Sequence, residues 1–510
     1  MTELHARTLA IVLALLPAGA HAAADVPYSL QLDAFSIAGF PGVQSGVVAG
    51  TPERLVVLGG RISGLHGFPS NRNTASSPSF PLDARNSMVY VLDLTQKKLL
   101  GKAKTDALPA AIAAQITANN TEYLLKDGWL YIVGGYGLAG PVNTSNPSLT
   151  PLRTLPSAIA IDFQALTSTV IAGGSLDTAF AAANIASATD PNLAVTGGDL
   201  KFLGNHYLLV FGHRMDGLYT TGGGTISQQY TSAVRVFNIQ AAHNGTAAQL
   251  TINFIQSVPN NPGGVDPSKD PYHRRDLPVE GYINAQGQMG IAAYGGVFKP
   301  GQFDGYLEPV YIDAASSAPG IMVRADNSAA QVLSQYDGAA IPAYSASSKS
   351  MYTTFFGSIS EYYWSGGKLH HDTPNLNIVP PIDGLPFINS VSTLKRTYSG
   401  SKPATAQFVH NGQTFAPSGA IPQCAVAGGG TVAAPLAGAE TRFVPADSVP
   451  RYENDVIKLD QVKSKTAVGY LIGGIAADKP YPENTCVLNQ IYEISLDPKT
   501  ATSTTKLKKP

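Results

Sequence analysis

Residues 128–137 read "GWLYIVGGYG", a charge-free run that stops at the pair Gly134-Gly135. A short continuous apolar run with no polar alternation is the pattern of a strand buried on both faces. The same figure recurs along the chain. Doublets or near-doublets close apolar runs at Gly59-Gly60, Gly134-Gly135, Gly212 before His213, Gly295-Gly296, Gly357 before Ser358, and Gly473-Gly474. Their first glycines are 75, 78, 83, 62 and 116 residues apart, which suits repeats carrying insertions of unequal length.

The surroundings of each doublet also repeat. A strand-like segment lies before the run, separated by a turn such as "KDG" at 126–128 or "AQGQ" at 285–288. Another follows: 87–94, 157–163, 232–239, 308–313, 388–396 and 490–497, with alternating apolar and β-branched positions. Several end in aspartate (Asp93, Asp162, Asp313, Asp497), as suits a side chain that caps a turn. Weaker fourth segments are "KLLGKAK", "STVIAGG" (168–174), "LTINFIQS" and "GIMVRA". Four antiparallel strands repeated six times predict an all-β fold, a β-propeller of six four-stranded blades. The 116-residue interval leaves room for a seventh, and residues 28–36 are expected to close the last blade.

The strand, Gly-Gly, loop, strand-with-Asp layout resembles kelch repeats over nearly the whole chain after the first two dozen residues. These units are longer than the roughly 50 residues of a kelch repeat, and only Trp129 and Trp364 are present where each repeat would carry a tryptophan. "LYIVGGYG", "AVTGGDL", "HRRDLPV" and "FFGSISEYY" are also similar to segments of a group of exported bacterial propeller proteins. That likeness implies a fold and a compartment, and no reaction.

The chain has 510 residues, of which 14% are charged, with 51 glycines and 36 prolines, in keeping with a β-rich, loop-rich protein. Its net charge of -1 offers no global field for nucleic acid. Residues 1–24 read as a signal peptide: Arg7, an apolar run from Leu9 to Leu16, then small residues with cleavage expected after Ala22 or Ala24. Residues 25–510 are then expected to form one propeller domain, periplasmic or secreted, with no later run long enough to cross a membrane. Export permits a disulfide between the two cysteines, Cys424 and Cys486.

Loops that follow the doublets, and loops that lead into the next blade, are expected to share one face and converge on the channel mouth. The first set supplies Arg61, His66, Tyr136, His213, Arg214 and Tyr219, with Glu361, Tyr362 and Tyr363. The second supplies Gln44, Ser45, Asn119, Asn120, Thr196 and the run Tyr272, His273, Arg274, Arg275, Asp276, the densest charged motif of a charge-poor chain. Arginine binds carboxylate, sulfate or phosphate through paired donors, and tyrosine offers stacking faces and hydroxyls. The expected function is therefore binding of a polar, anionic small molecule or glycan. The competing reading of the arginines is as ties between blades. Two alternatives share the fold: a sugar epimerase or mutarotase with His273 or Asp276 as acid or base, by analogy with sialate-mutarotase-like propellers, or an envelope scaffold that engages a protein partner through 140–155 and 397–435. No metal or other cofactor is expected. The adjacent pair His370-His371 points opposite ways on an extended chain, and neither cysteine sits in a copper-radical motif.

Overall fold

Six four-stranded antiparallel sheets succeed one another in this computed structural model, which describes residues 25–508 except 67–79, 144, 146–149, 218–226, 261–265, 267–268, 301–303, 318–319, 329–330, 376–382, 401, 417–419 and 427–428. Blade 1 is Val47–Thr51, Arg54–Leu58, Met88–Asp93 and Lys98–Lys104; blade 2 is Glu122–Lys126, Trp129–Val133, Ser157–Asp162 and Ile185–Thr189. Blade 3 is Asp199–Leu203, His206–Val210, Val234–Asn244 and Ala247–Val258; blade 4 is Val279–Ile283, Met289–Ala293, Val310–Ala314 and Ile321–Ala325. Blade 5 is Ala340–Ser345, Ser350–Ile359, Phe387–Thr397 and Ala404–Thr414, widened by Ile457–Lys458 and Thr504–Lys506. Blade 6 is Arg442–Pro445, Thr466–Ile472 and Ile491–Asp497, and its fourth strand is Ser29–Phe35 from the other end of the chain, with Ser29 opposite Asp497.

The inner strands close a circuit. Val47–Thr51 neighbours Glu122–Lys126, which neighbours Asp199–Leu203; that strand contacts Met289–Ala293 of blade 4, whose first strand Val279–Ile283 neighbours Ala340–Ser345, and this neighbours Arg442–Pro445, which returns to Val47–Thr51. The protein is a six-bladed propeller. The interval between Gly357 and Gly473 holds the outer half of blade 5, the hairpin Gln423–Ala425/Thr431–Ala433 and the lead-in to blade 6, with no seventh blade among the described residues.

The apolar core lies in the six seams. On the second strand of blade 1, Val56 and Leu58 pack toward blade 2, while Leu55 and Val57 pack toward blade 6. On that of blade 3, Leu208 and Val210 face blade 4, and Tyr207 and Leu209 face blade 2. Both faces of these strands are buried, so they read as unbroken apolar runs, each buried Val or Leu contributing about 1.5–3 kcal/mol.

The doublets have a seam role too. The second glycine donates its N–H to the lead-in of the next blade: Gly60 to Ala118, Gly135 to Val195, Gly212 to Arg274, Gly296 to Gln335, and Gly474 back to Val43 of blade 1. The first glycine lies against that same backbone. A methyl group on Gly59 would sit 2.6 Å from the Ile116 carbonyl oxygen, and Gly59 has φ +63, a conformation costly for any residue with a Cβ. In blade 3 the equivalent position is Phe211, which adopts φ 57 nonetheless.

Two details depart from the sequence reading. "STVIAGG" is not the fourth strand of blade 2, because Phe163–Ile171 is an α-helix and the fourth strand is Ile185–Thr189. Asp162 starts that helix by accepting a hydrogen bond from Ala165 N at 2.9 Å, and the helix buries Leu166, Thr167 and Val170 on one side. Asp313 does not cap a turn; its carboxylate accepts from Tyr282 Oη and from Asn284 Nδ2 at 3.2 Å. Asp93 and Asp497 do cap turns, accepting from the Gln96 and Lys499 backbone.

Candidate functional site

Just before its first strand, each of five blades places one residue in the left-handed region: Ser45 (φ 53), Asn120 (φ 45), Gly197 (φ 69), Asp276 (φ 50) and Glu440 (φ 62). Four of these are not glycine, and the left-handed region is sparsely populated by other residues. Backbone hydrogen bonds stitch these turns together around the axis. Asn120 N donates to Ser45 O (2.9 Å), Gly197 N to Asn120 O (3.3 Å), Asp276 N to Gly197 O (2.7 Å), and Glu440 N to Asp337 O (2.8 Å). The result is a girdle at one end of the channel.

Above the girdle lies a cavity of about 60 Å³ lined from all six blades, including Arg61, His66, Asn119, Tyr136, His213, Arg275, Tyr336 and Glu440. It has room for ordered water, or for the carboxylate end of a larger molecule. One wall is a separate four-stranded sheet, Tyr136–Leu138, Leu152–Thr154, His213–Asp216 and Ser227–Tyr230, built from the insertions of blades 2 and 3. The opposite wall includes Ile475 from the small sheet Leu436–Ala437, Ile475–Ala477, Thr485–Val487. Cys486 of that sheet forms the expected disulfide with Cys424, Cα atoms 5.5 Å apart. Thr485 Oγ1 accepts from Leu65 N (3.0 Å), joining this wall to the loop that carries His66.

Arg61 is 3% exposed; Nη2 donates to Ser63 Oγ (3.1 Å) and the guanidinium lies 5.0 Å from the Phe80 ring centre. Its Nε has no hydrogen-bond partner, and no carboxylate lies within ion-pair distance, among the described residues. Desolvation outweighs the nearby charge of Asp83 and pulls the Arg61 pKa down to about 10. Arg275 is differently placed: Nη1 is 3.0 Å from Asp276 Oδ2, and Nε donates to Tyr230 Oη at 3.1 Å. Burial outweighs this guanidinium and pushes the Asp276 carboxyl up. His213 is buried, and desolvation together with the charges of Arg275 and His273 pushes its pKa well down. The Gln228 Nε2 amide lies 2.7 Å from its Nδ1 and donates to it, so the neutral ring carries its proton on Nε2, a donor for the cavity. Tyr136 donates its hydroxyl to Gly217 O (2.7 Å), and His66 stacks on Phe80 with centroids 5.0 Å apart.

The cavity thus brings together Arg61, His66, Tyr136, His213 and Arg275, with Asp276 in the girdle beneath them. Arg274 is elsewhere: it is fully buried in the seam, donating Nε to Pro271 O (2.7 Å) and Nη1 to Gly295 O (2.9 Å) and Glu308 O (3.0 Å), with its charge 4.1 Å from the Tyr306 ring centre. His273 stacks on Tyr230 at 3.8 Å and does not line the cavity. Arg214 is on the outer side of the insertion sheet, paired with Asp216 at 2.7 Å. Tyr219 lies outside the described residues. The sequence reading did not single out Phe80, Met215, Tyr336, Glu440 and Ile475. Tyr336 and Glu440 precede the first strands of blades 5 and 6 as Asn119 and Asn120 do in blade 2, a signal obscured by the long insertions around them.

A charged network continues near the axis. Arg442 grips Asp337 through two bonds, Nη1–Oδ1 2.7 Å and Nη2–Oδ2 2.6 Å, and Lys201 pairs with Asp199 at 3.0 Å. Glu280 is pushed up to about 8 by desolvation, which the Lys201 charge only partly offsets. Among the described residues no group of three or more His, Cys, Asp or Glu side chains has the geometry of a metal site.

No protein-family model and no curated protein matches this sequence. Among solved structures the chain is similar to that of YjhT, with 10% identity over 89% of this chain and 97% of that one, at a TM-score of 0.39. A likeness of that order adds nothing to what the sheet order and closed circuit establish.

Proposed function

We propose that the girdled mouth binds a polar, anionic small molecule or the acidic end of a glycan. The observation that carries this reading is Arg61: a buried cation facing a cavity, with a free donor and no carboxylate of its own among the described residues. An incoming carboxylate would restore the electrostatic partner that burial removed. Arg275 and the Nε2–H of His213 add donors, while the partnerless Oδ1 atoms of Asn119 and Asn120 add acceptors. Such a mixed set suits a ligand that carries hydroxyls beside its acid.

The leader-like first 24 residues and the Cys424–Cys486 disulfide support export to an oxidising compartment, and no helix among the described residues is long and apolar enough to cross a membrane. The doublet at or near the end of each second strand supports the kelch-like reading of the blades.

The test is a thermal-shift and calorimetric screen of small carboxylates, uronic acids, phosphate and neutral sugars against wild type and Arg61→Gln. A bound carboxylate at 100 times its Kd stabilises by about 2.7 kcal/mol, and Arg61→Gln is expected to abolish that shift. A response confined to neutral sugars, or one unchanged by Arg61→Gln, refutes the reading.

A further inference from the structure

Three carboxyl groups meet at the floor of the mouth: Asp276, Asp337 and Glu440. Two cations serve them. Arg275 is committed to Asp276, and Arg442 engages both oxygens of Asp337. Glu440 has only a longer ion pair with the already engaged Arg442. It is 4% exposed, its Oε2 is 3.7 Å from Arg442 Nη2, beyond hydrogen-bond reach, and that oxygen has no hydrogen-bond partner. The backbone N–H of Glu440 donates to Asp337 O at 2.8 Å, tying the two residues together. Burial with an unpartnered oxygen disfavours the charged form of a carboxyl group. Asp337 is hydrogen-bonded to a guanidinium and Glu440 is not, so the proton belongs on Glu440.

We infer that the mouth takes up its anion together with a proton held by Glu440. The inference rests on the anion-binding reading above. With the proton in place, the cavity presents Arg61, Arg275 and the carboxyl O–H of Glu440, which donates to a carboxylate oxygen of the ligand while every covalent bond of the ligand stays intact. Without it, Glu440 adds a negative charge facing the ligand. The groups that face Glu440 are Asp337 and Tyr336 from blade 5, Asp276 and Arg275 from blade 4, and Arg442 on its own strand; Arg61, His66 and His213 line the same cavity. Desolvation and the neighbouring Asp337 charge push the Glu440 carboxyl well above the ordinary glutamate range.

The experiment titrates full-length wild type and Glu440→Gln with acetate and D-glucuronate between pH 5.5 and pH 9.5, in buffers of different ionisation enthalpy. For wild type the Kd is expected to be flat at low pH and then to rise tenfold per pH unit once Glu440 ionises, with up to one proton taken up per anion on that limb. Glu440→Gln is expected to give a flat profile with no uptake, whatever its absolute affinity. A flat wild-type profile, or the same rise in Glu440→Gln, overturns the proton inference while leaving anion binding intact. If neither acid binds wild type at any pH, the mouth reading falls with it. Proton uptake is read on wild type alone, so it decides the question even if the variant does not fold.

Discussion

Replacing Arg274 by alanine separates the two adjacent arginines of the "HRRD" run. The Arg274 guanidinium makes three charge-assisted hydrogen bonds, to Pro271, Gly295 and Glu308 carbonyls, and lies over the Tyr306 ring. At about 2 kcal/mol each the hydrogen bonds amount to about 6 kcal/mol, and the ring contact adds about 2. Against this stands the cost of the buried charge. Desolvation pulls the Arg274 pKa down to about 10, a burial cost of about 3 kcal/mol. The net loss is about 4–5 kcal/mol. For a chain of 510 residues the unfolding entropy is about 1 kcal/mol/K, so Tm should fall by about 4 °C. Differential scanning calorimetry measures that fall, and calorimetric titration should show ligand affinity unchanged below the new Tm. An Arg274→Ala protein that keeps its Tm within 1 °C, or that keeps Tm but loses the ligand, would refute the assignment of Arg274 to the seam.

The remaining expectations concern the seams, the cross-link and pH. Gly357→Ala drives a Cβ into the Ala437 carbonyl oxygen at φ +59 and should cost about 2–5 kcal/mol in urea unfolding; an unchanged midpoint would show that the seam yields. Removing the Cys424–Cys486 bridge, whose partners are 62 residues apart, should cost about 4 kcal/mol on the chain-entropy scale, read as the difference between denaturation with and without reductant. Glu280 has its folded pKa raised to about 8, so its contribution is fully present below the unfolded value near 4.5 and is lost as pH rises toward 8. Glu280→Gln should therefore gain stability relative to wild type at pH 9 and show no such gain at pH 4 in paired thermal melts.

The repeat was legible because its cause is local. A strand buried on both faces cannot alternate, and a backbone pressed against the next blade cannot carry a Cβ, so apolar runs ending in Gly59-Gly60 or Gly473-Gly474 report the seams directly. The N-terminal closing strand and the disulfide were readable for similar reasons: one alternates in the right register, and the other has a single possible pairing. The helix at Phe163–Ile171 was not, because seven residues of "STVIAGG" fit either period and the deciding cap, Asp162, suits a turn equally well. At the site, sequence proximity misled. Arg274 and Arg275 are neighbours, yet successive side chains of an extended segment point opposite ways, so one enters a seam and the other the mouth. The axial charges Glu122, Asp199, Lys201, Glu280 and Arg442 are scattered over 320 positions (442 minus 122) and converge only when the ring closes.

That the sixth blade borrows Ser29–Phe35 from the opposite end of the polypeptide sets an order of assembly. During synthesis Ser29–Phe35 is made long before its partner Ile491–Asp497, so an unpaired alternating strand waits beside a growing arc of sheets. The clasp can snap shut only once Ile491–Asp497 has been made, and any product stopped short of it keeps an open edge that invites pairing with another molecule.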